Sequence, residues 1–267
     1  QGLTFSNFHV QPTCSPTRSS LLTGNDNHVA GLGIMSEMAY PSLTALNLPA
    51  YQGELSKQVI TIPELLRENG YHTYMTGKWH LGEGDGKDPF YRGFEESFIL
   101  GTGGGSHYND MKALSPLQHM EYTRNGKVVE LPQDFYSTRN YTDSMIKFID
   151  NHKSENAPFF AYLSYTSVHD PLHAPKEYID KYKGKFDMGW DSLWVLRLNN
   201  LKSLGIVPKE MDKFSKNPAI PKWDNLSKEL KAEFARDMEV YAAMLDYMDM
   251  SIGRILDYLK KEGMYDN

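Results

Sequence analysis

The run Phe159-Phe160-Ala161-Tyr162-Leu163-Ser164-Tyr165 constrains the fold more than any other stretch. A strand with one wet face alternates apolar and polar residues. A continuous apolar run instead has both faces covered, as in a parallel sheet. Parallel strands need crossover helices, and the sequence supplies them. Thr61-Ile62-Pro63-Glu64 is a capping box with proline in the first turn, Ile62, Leu65 and Leu66 make an apolar face, and Gly70 closes the helix. Residues 71–76 follow as a strand. Thr142 is placed to cap a second helix, with Met145, Ile146 and Ile149 on one face, before Ala157-Pro158 leads into the apolar run. Residues 3–10 read as a further strand, and Pro16 suits the first turn of a helix over residues 15–23. Strand and helix in alternation imply an α/β domain with a mostly parallel sheet flanked by helices.

The remaining segments read more simply. Residues 24–58 and 83–110 are glycine-rich loop. The run Gly101-Thr102-Gly103-Gly104-Gly105 lacks the lysine of a phosphate loop and reads as flexible. Residues 122–131 carry Asn125-Gly126 at their centre, a hairpin signal. A helix is expected over 192–205. The longest helix begins at Ser227, carries Leu230, Phe234, Met238, Tyr241, Leu245, Met248, Ile252, Ile255 and Leu259 as an expected core stripe, and stops at Gly263.

In open α/β sheets, ligands bind beyond the carboxyl ends of the strands. Three expected strand ends carry Cys14, Lys78 with His80, and His169, so these residues should converge. A helix N-terminus favours anions, Arg18 adds a fork that matches tetrahedral oxyanions, Lys78 adds a point charge, and the two histidines can move protons near neutral pH. The set suits nucleophilic attack on a sulfate or phosphate ester, although a plain thiolate is a poor partner for sulfate because the product would be hard to clear. Acids and bases are interleaved to a net charge of -6 with no basic tract, which argues against nucleic acid. No apolar run reaches the length of a transmembrane helix, and one cysteine excludes an internal disulfide framework.

These residues resemble a known family. Cys14-Ser15-Pro16-Thr17-Arg18 followed by Leu22-Thr23-Gly24 is similar to the signature of type I sulfatases. Gly77-Lys78-Trp79-His80-Leu81-Gly82 resembles their second signature, and His169-Asp170-Pro171-Leu172-His173-Ala174-Pro175 their His-x-Pro-x-x-x-Pro segment. Residues 190–205 look like the arylsulfatase branch. The resemblance implies an alkaline-phosphatase-like fold and conversion of Cys14 by a maturation enzyme to formylglycine, whose hydrate attacks sulfur. It implies that Arg18 holds and polarises that group, that Lys78 and His169 bind the sulfate, that His80 assists the hydrate and that His169 protonates the leaving oxygen. His107 and His173 are candidates for the substrate pocket.

The family also implies one calcium ion, held partly by the residue-14 oxygen. Its acidic ligands are expected mostly outside this chain, because Asp266-Asn267 comes too early to be the family's Asp-Asn pair. The chain is accordingly expected to be a single catalytic-domain fragment lacking metal-binding strands at both ends, with residues 176–225 a substrate-side insertion and little activity alone. The parent's expected substrate is a small-molecule or glycan sulfate ester, and its compartment periplasmic, secreted or lysosome-like. A phosphodiester or phosphonate monoester hydrolase and a non-catalytic binding member are the alternative readings.

Overall fold

A computed structural model describes residues 5, 7–39, 46–84, 86–114, 119–155, 157–212 and 217–266. They form two compact units, one of residues 10–171 and 248–267, the other of residues 1–9 and 172–247. The first unit holds every strand. These are β1 (His72–Lys78), β2 (Glu96–Leu100), β3 (Tyr122–Arg124), β4 (Lys127–Val128) and β5 (Phe159–Ser164), in the sheet order β4-β3-β2-β1-β5. β1 lies parallel to both β2 and β5, while β3 and β4 add an antiparallel hairpin at one edge, so the sheet is mixed. The hairpin turns at Asn125 and Gly126, both at positive φ as the Asn-Gly pair requires.

Side chains alternate between two cores, one on each face. Met75, Trp79 and Ile99 join Leu22, Leu32 and Phe94 on one side, with Phe160 and Tyr162 packed against them. Tyr74, Phe98 and Leu100 join Phe135, Tyr141, Met145 and Phe148 on the other, with Phe159, Ala161 and Leu163 against them. This two-sided packing explains the unbroken apolar run. β5 nonetheless stands at the sheet edge, and most of it is half-buried rather than fully buried.

Helix α1 (Cys14–Thr23) begins at the cysteine and ends at Gly24 in the left-handed region. Helix α2 (Ile62–Glu68) has the full capping box expected of it. Helix α3 (Ser137–His152) starts a turn and more before Thr142. Thr142 is therefore no cap: it is buried inside the helix and its Oγ1 donates to Thr138 O at 2.8 Å. β2 lies inside the stretch read as glycine-rich loop, and residues 7–10 are not a strand, while residues 1–4 and 6 lie outside the described residues.

In the second unit, α4 (Lys176–Asp180) and α5 (Gly189–Ser203) precede the start of α6 (Lys228–Lys261). Trp190 meets Trp223 edge-on at 4.9 Å and Phe234 at 5.5 Å. Ser227 Oγ accepts from Leu230 N at 3.3 Å as α6 begins. The boundary between the units falls within α6, after Tyr247. The apolar stripe expected to be core is so only in part: Met238, Tyr241, Met248, Ile255 and Leu259 are half-buried, with Ile255 and Leu259 against the second core, but Leu230, Phe234, Leu245 and Ile252 are exposed, and the fully buried positions include Ala235, Ala243, Met244, Tyr247 and Ser251. Periodicity marks an apolar face but does not say which face is covered.

Candidate active site

The site lies in the first unit, at the carboxyl end of β1 and β5. Cys14 is the first residue of α1, with its N-cap Thr13 extended and giving no side-chain cap. First-turn amides are left open and the helix dipole points at residue 14. The neighbours deepen that effect. Hydrogen bonding from His169 and then His80, helped by the Lys78 charge, overrides the cost of burial and pulls the Cys14 thiol down to about 5. Residue 14 therefore sits in a place built for an anion.

Lys78 ends β1 and is buried, 2% exposed. Burial, then the charge of Arg18, lowers its pKa from the ordinary lysine range. Arg18, one turn into α1, spends Nη1 on Lys78 O at 2.8 Å, on Ser164 Oγ and on Tyr162 OH at 3.4 Å. It braces α1 against the ends of β1 and β5, and so fixes the spacing between Cys14 and Lys78.

His80 sits two residues past β1 with φ 57, in the left-handed region. Its Nε2 meets Glu37 Oε1 at 2.9 Å, while Nδ1 is buried and makes no hydrogen bond of good geometry, so its interaction with Cys14 is a looser one. Burial works against the charged ring, but the bonds to Cys14 and Glu37 outweigh it and raise the His80 pKa. The same pair takes Glu37 down to about 2, chiefly through the His80 bond. Glu37 is a site residue that sequence reasoning missed, since it sits in a loop with no motif around it.

His169 follows β5. Its Nδ1 lies 2.8 Å from Asp170 O and 3.0 Å from Asp170 Oδ1, leaving Nε2 as its second polar atom. Its pKa is raised, first by Cys14. His107 backs it up rather than lining the site: the ring is buried, Nδ1 pairs with Ser137 Oγ at 2.8 Å and Nε2 with His169 O at 3.1 Å. Both nitrogens are thus engaged by the protein, and the expected substrate-lining position is a supporting one. His173 belongs to the second unit and is half-buried there.

The glycine run read as a flexible loop is a packing surface for this site. A Cβ at Gly103 would stand 2.8 Å from His80 Cε1 and 3.1 Å from Glu37 Oε1, and one at Gly104 would stand 3.1 Å from His169 Nδ1. Glycine is present because two imidazoles lie against the backbone. The signal in the sequence was glycine density directly after a strand, which marks close approach as readily as flexibility.

The Sulfatase family model matches residues 1–267. The chain belongs to the sulfatase family. An uncharacterized sulfatase of Schizosaccharomyces pombe is 42% identical over 276 residues, covering 100% of this chain and 50% of its own length. An arylsulfatase of Klebsiella aerogenes is 38% identical over 276 residues, covering 100% of this chain and 57% of its own. This sulfatase chain thus spans about half the length of the curated relatives it matches. Its fold is also that of Ps i-CgsB, solved in complex with k-i-k-neocarrahexaose, at a TM-score of 0.63, 24% identity and coverage of 96% of this chain and 46% of that one.

Two absent groups can be tested against these residues. An aldehyde hydrate at residue 14 fits: it would offer hydroxyls beside the orphaned, buried His80 Nδ1 and the cationic partners that already favour an anion there. A calcium ion needs a cage of hard oxygen ligands. Among the described residues, the one group of His, Cys, Asp or Glu placed to hold an ion does not include Cys14, and Glu37 is engaged by His80. The described residues of this chain therefore do not make that cage. No helix among the described residues is long and apolar enough to cross a membrane.

Proposed function

We propose that the protein containing this chain hydrolyses sulfate monoesters, small-molecule or glycan, with the side chain of residue 14 as nucleophile. The observation that carries the proposal is the convergence of Lys78, His80 and His169 on Cys14 at a helix N-terminus, strong enough to take its thiol to about 5. Formylglycine made from Cys14 by a maturation enzyme would supply a hydrate whose hydroxyl attacks sulfur, avoiding the thiol–sulfate product that would be hard to clear.

The other residues take roles their surroundings favour. His80, its Nε2 committed to Glu37, has Nδ1 free to take or return a proton at residue 14. Lys78, partly desolvated, binds the sulfate oxygens, where charge counts for more than in water. His169, held through Nδ1, presents Nε2–H both to the bound anion and to the departing oxygen, and its raised pKa keeps it protonated further toward neutral pH. Arg18 holds the frame and adds its charge beside Lys78. Calcium, with its ligands outside the described residues, completes the reading. His173 and residues 176–225 are assigned to the substrate side on the motif alone. The family reading also carries the compartment: periplasmic, secreted or lysosome-like.

The test compares the intact protein with its Cys14→Ala variant on an aryl sulfate and an aryl phosphate diester, alongside mass spectrometry of the peptide bearing residue 14. We expect an aldehyde at that position, preference for the sulfate, and loss of turnover in the variant. Preference for the diester would move the protein to that reaction class. An unmodified thiol throughout, with no turnover, would support a binding member instead. Residues 1–267 alone should turn over little substrate.

A further inference from the structure

A second cluster of chemistry-bearing side chains lies at the other end of β1 from Lys78, six residues and so about 20 Å along the strand. His72 opens β1, Glu96 opens β2 with Glu95 just before it, and His152 ends α3 with Glu155 one turn beyond. Glu155 places one carboxylate oxygen 3.1 Å from His72 Nε2 and the other 3.0 Å from His152 Nδ1. The remaining ring nitrogens are each held by a different carboxylate: His72 Nδ1 lies 2.7 Å from Glu95 Oε2, and His152 Nε2 lies 3.0 Å from Glu96 Oε1. Both imidazoles are thus oriented from behind by a carboxylate, with their other nitrogens turned to one spot. Orientation of a histidine through its far nitrogen is how metal-binding imidazoles are held.

Three further observations point the same way. The ligand atoms of His72, His152 and Glu155 all lie within 4.8 Å of one another, and theirs is the one such group among the described residues. Ligand atoms of a tetrahedral zinc site stand roughly 3.3 Å apart, and Glu155 now spans the two rings with one oxygen to each, so an ion would enter where this exposed carboxylate swings aside and turns one oxygen onto it. His72 Nε2 is buried without a hydrogen bond of good geometry, despite its nearness to Glu155. Finally, the spot is electronegative. Tyr74, stacked beneath both rings at 6.2 and 5.7 Å, has its pKa raised by burial and then by Glu95, Glu96 and Glu155. The nearby Lys153 is spent on Asp150 and Glu262.

We propose that His72, His152 and Glu155 form a binding site for a divalent transition-metal ion of the zinc class, with Glu95 and Glu96 positioning the two imidazoles. Two nitrogens and one carboxylate suit such an ion better than calcium. A fourth position is left to water. The site ties the start of two strands to the end of α3, remote from residue 14, and is independent of the chemistry there.

The test titrates the intact, chelator-stripped protein with Zn2+, by calorimetry against a competing chelator and by Co2+ absorption. The Cys14→Ala background removes the one thiol that could bind zinc at the other site. We expect one equivalent bound in that background, a tetrahedral Co2+ spectrum, and a rise in melting temperature on zinc addition. His152→Gln and Glu155→Gln should abolish saturable binding, and Glu95→Gln should weaken it by about 10–100-fold. Glu155 lies at the surface, so its variant folds even where a histidine variant does not. Absence of stoichiometric binding in the Cys14→Ala protein, binding unchanged in Glu155→Gln, or Ca2+ competing on equal terms would each overturn the proposal.

Discussion

At the scale of single residues, Glu37 and His80 carry the most testable claim. Glu37 holds Nε2 of His80, and its charge helps keep that ring protonated above its ordinary range. Glu37→Gln removes the charge but keeps the shape. The His80 pKa should then fall, so the limb of the pH–rate profile that reports loss of its proton should move to lower pH, with kcat/KM down by roughly 10- to 100-fold. Activity lost with the profile unmoved would assign Glu37 a purely structural role. This partnership could not be read from the sequence: Glu37 is distant from every motif. Cys14, Lys78, His80 and His169 were legible, because short motifs fixed both their identity and their place after strands or at a helix start. Arg18 was legible as part of the site, but its bracing of two strand ends was not, since backbone acceptors such as Lys78 O leave no trace in a sequence.

At the scale of elements, two glycines separate folding from function. Gly77, inside β1 at φ 109, would put a Cβ 1.9 Å from Ser164 O on the paired strand, and backbone cannot step aside. Gly77→Ala should lower the unfolding free energy by on the order of 4 kcal/mol, read from the denaturant midpoint. Gly103→Ala pushes instead on the His80 ring and Glu37. It should cut kcat severely while moving the same midpoint by about 1 kcal/mol or less. Equal stability losses in the two variants would contradict this division. Elements were legible where physics acts within the element. The capping box of α2 and the Asn-Gly turn of the hairpin are local. β2 was missed because Glu96-Ser97 opens it with polar residues amid glycines, and only pairing with β1 and β3 makes it a strand. The start of α3 was misplaced because its N-cap, Tyr136, gives no side-chain bond.

At the scale of the whole molecule, the sheet-bearing unit is held by a buried cation as well as by its two cores. Arg92 donates from Nη1 to Leu55 O at 3.1 Å and to Ser56 O at 3.3 Å, and from Nη2 to Val59 O at 2.8 Å, while Nε reaches Glu64 Oε1 at 3.2 Å. It therefore joins a long loop to the first turn of α2. Arg92→Met takes the donors from three carbonyls, of which Ser56 O keeps a backbone bond from Val59 N, and strands Glu64; it should cost about 3–5 kcal/mol in denaturant unfolding, with the slope unchanged. A cost below about 1 kcal/mol would show that the loop is secured elsewhere. The α/β class was legible from the apolar run of β5 and the capped helix beside it. The stripe on α6 was legible as apolar but is core only in part, with Ile255 and Leu259 packed and Leu230, Phe234, Leu245 and Ile252 exposed, because a helix shows its faces in sequence and its neighbours only in space.

In the proposed reading, the cations around residue 14 recognise a tetrahedral anion, not the group attached to it. Free sulfate carries more charge than its ester and meets the same Lys78, His80 and His169. Product should therefore leave slowly and compete with substrate. Added inorganic sulfate should raise the apparent KM without changing kcat, phosphate and vanadate should do the same, and an assay buffered with any of them measures an enzyme already partly occupied.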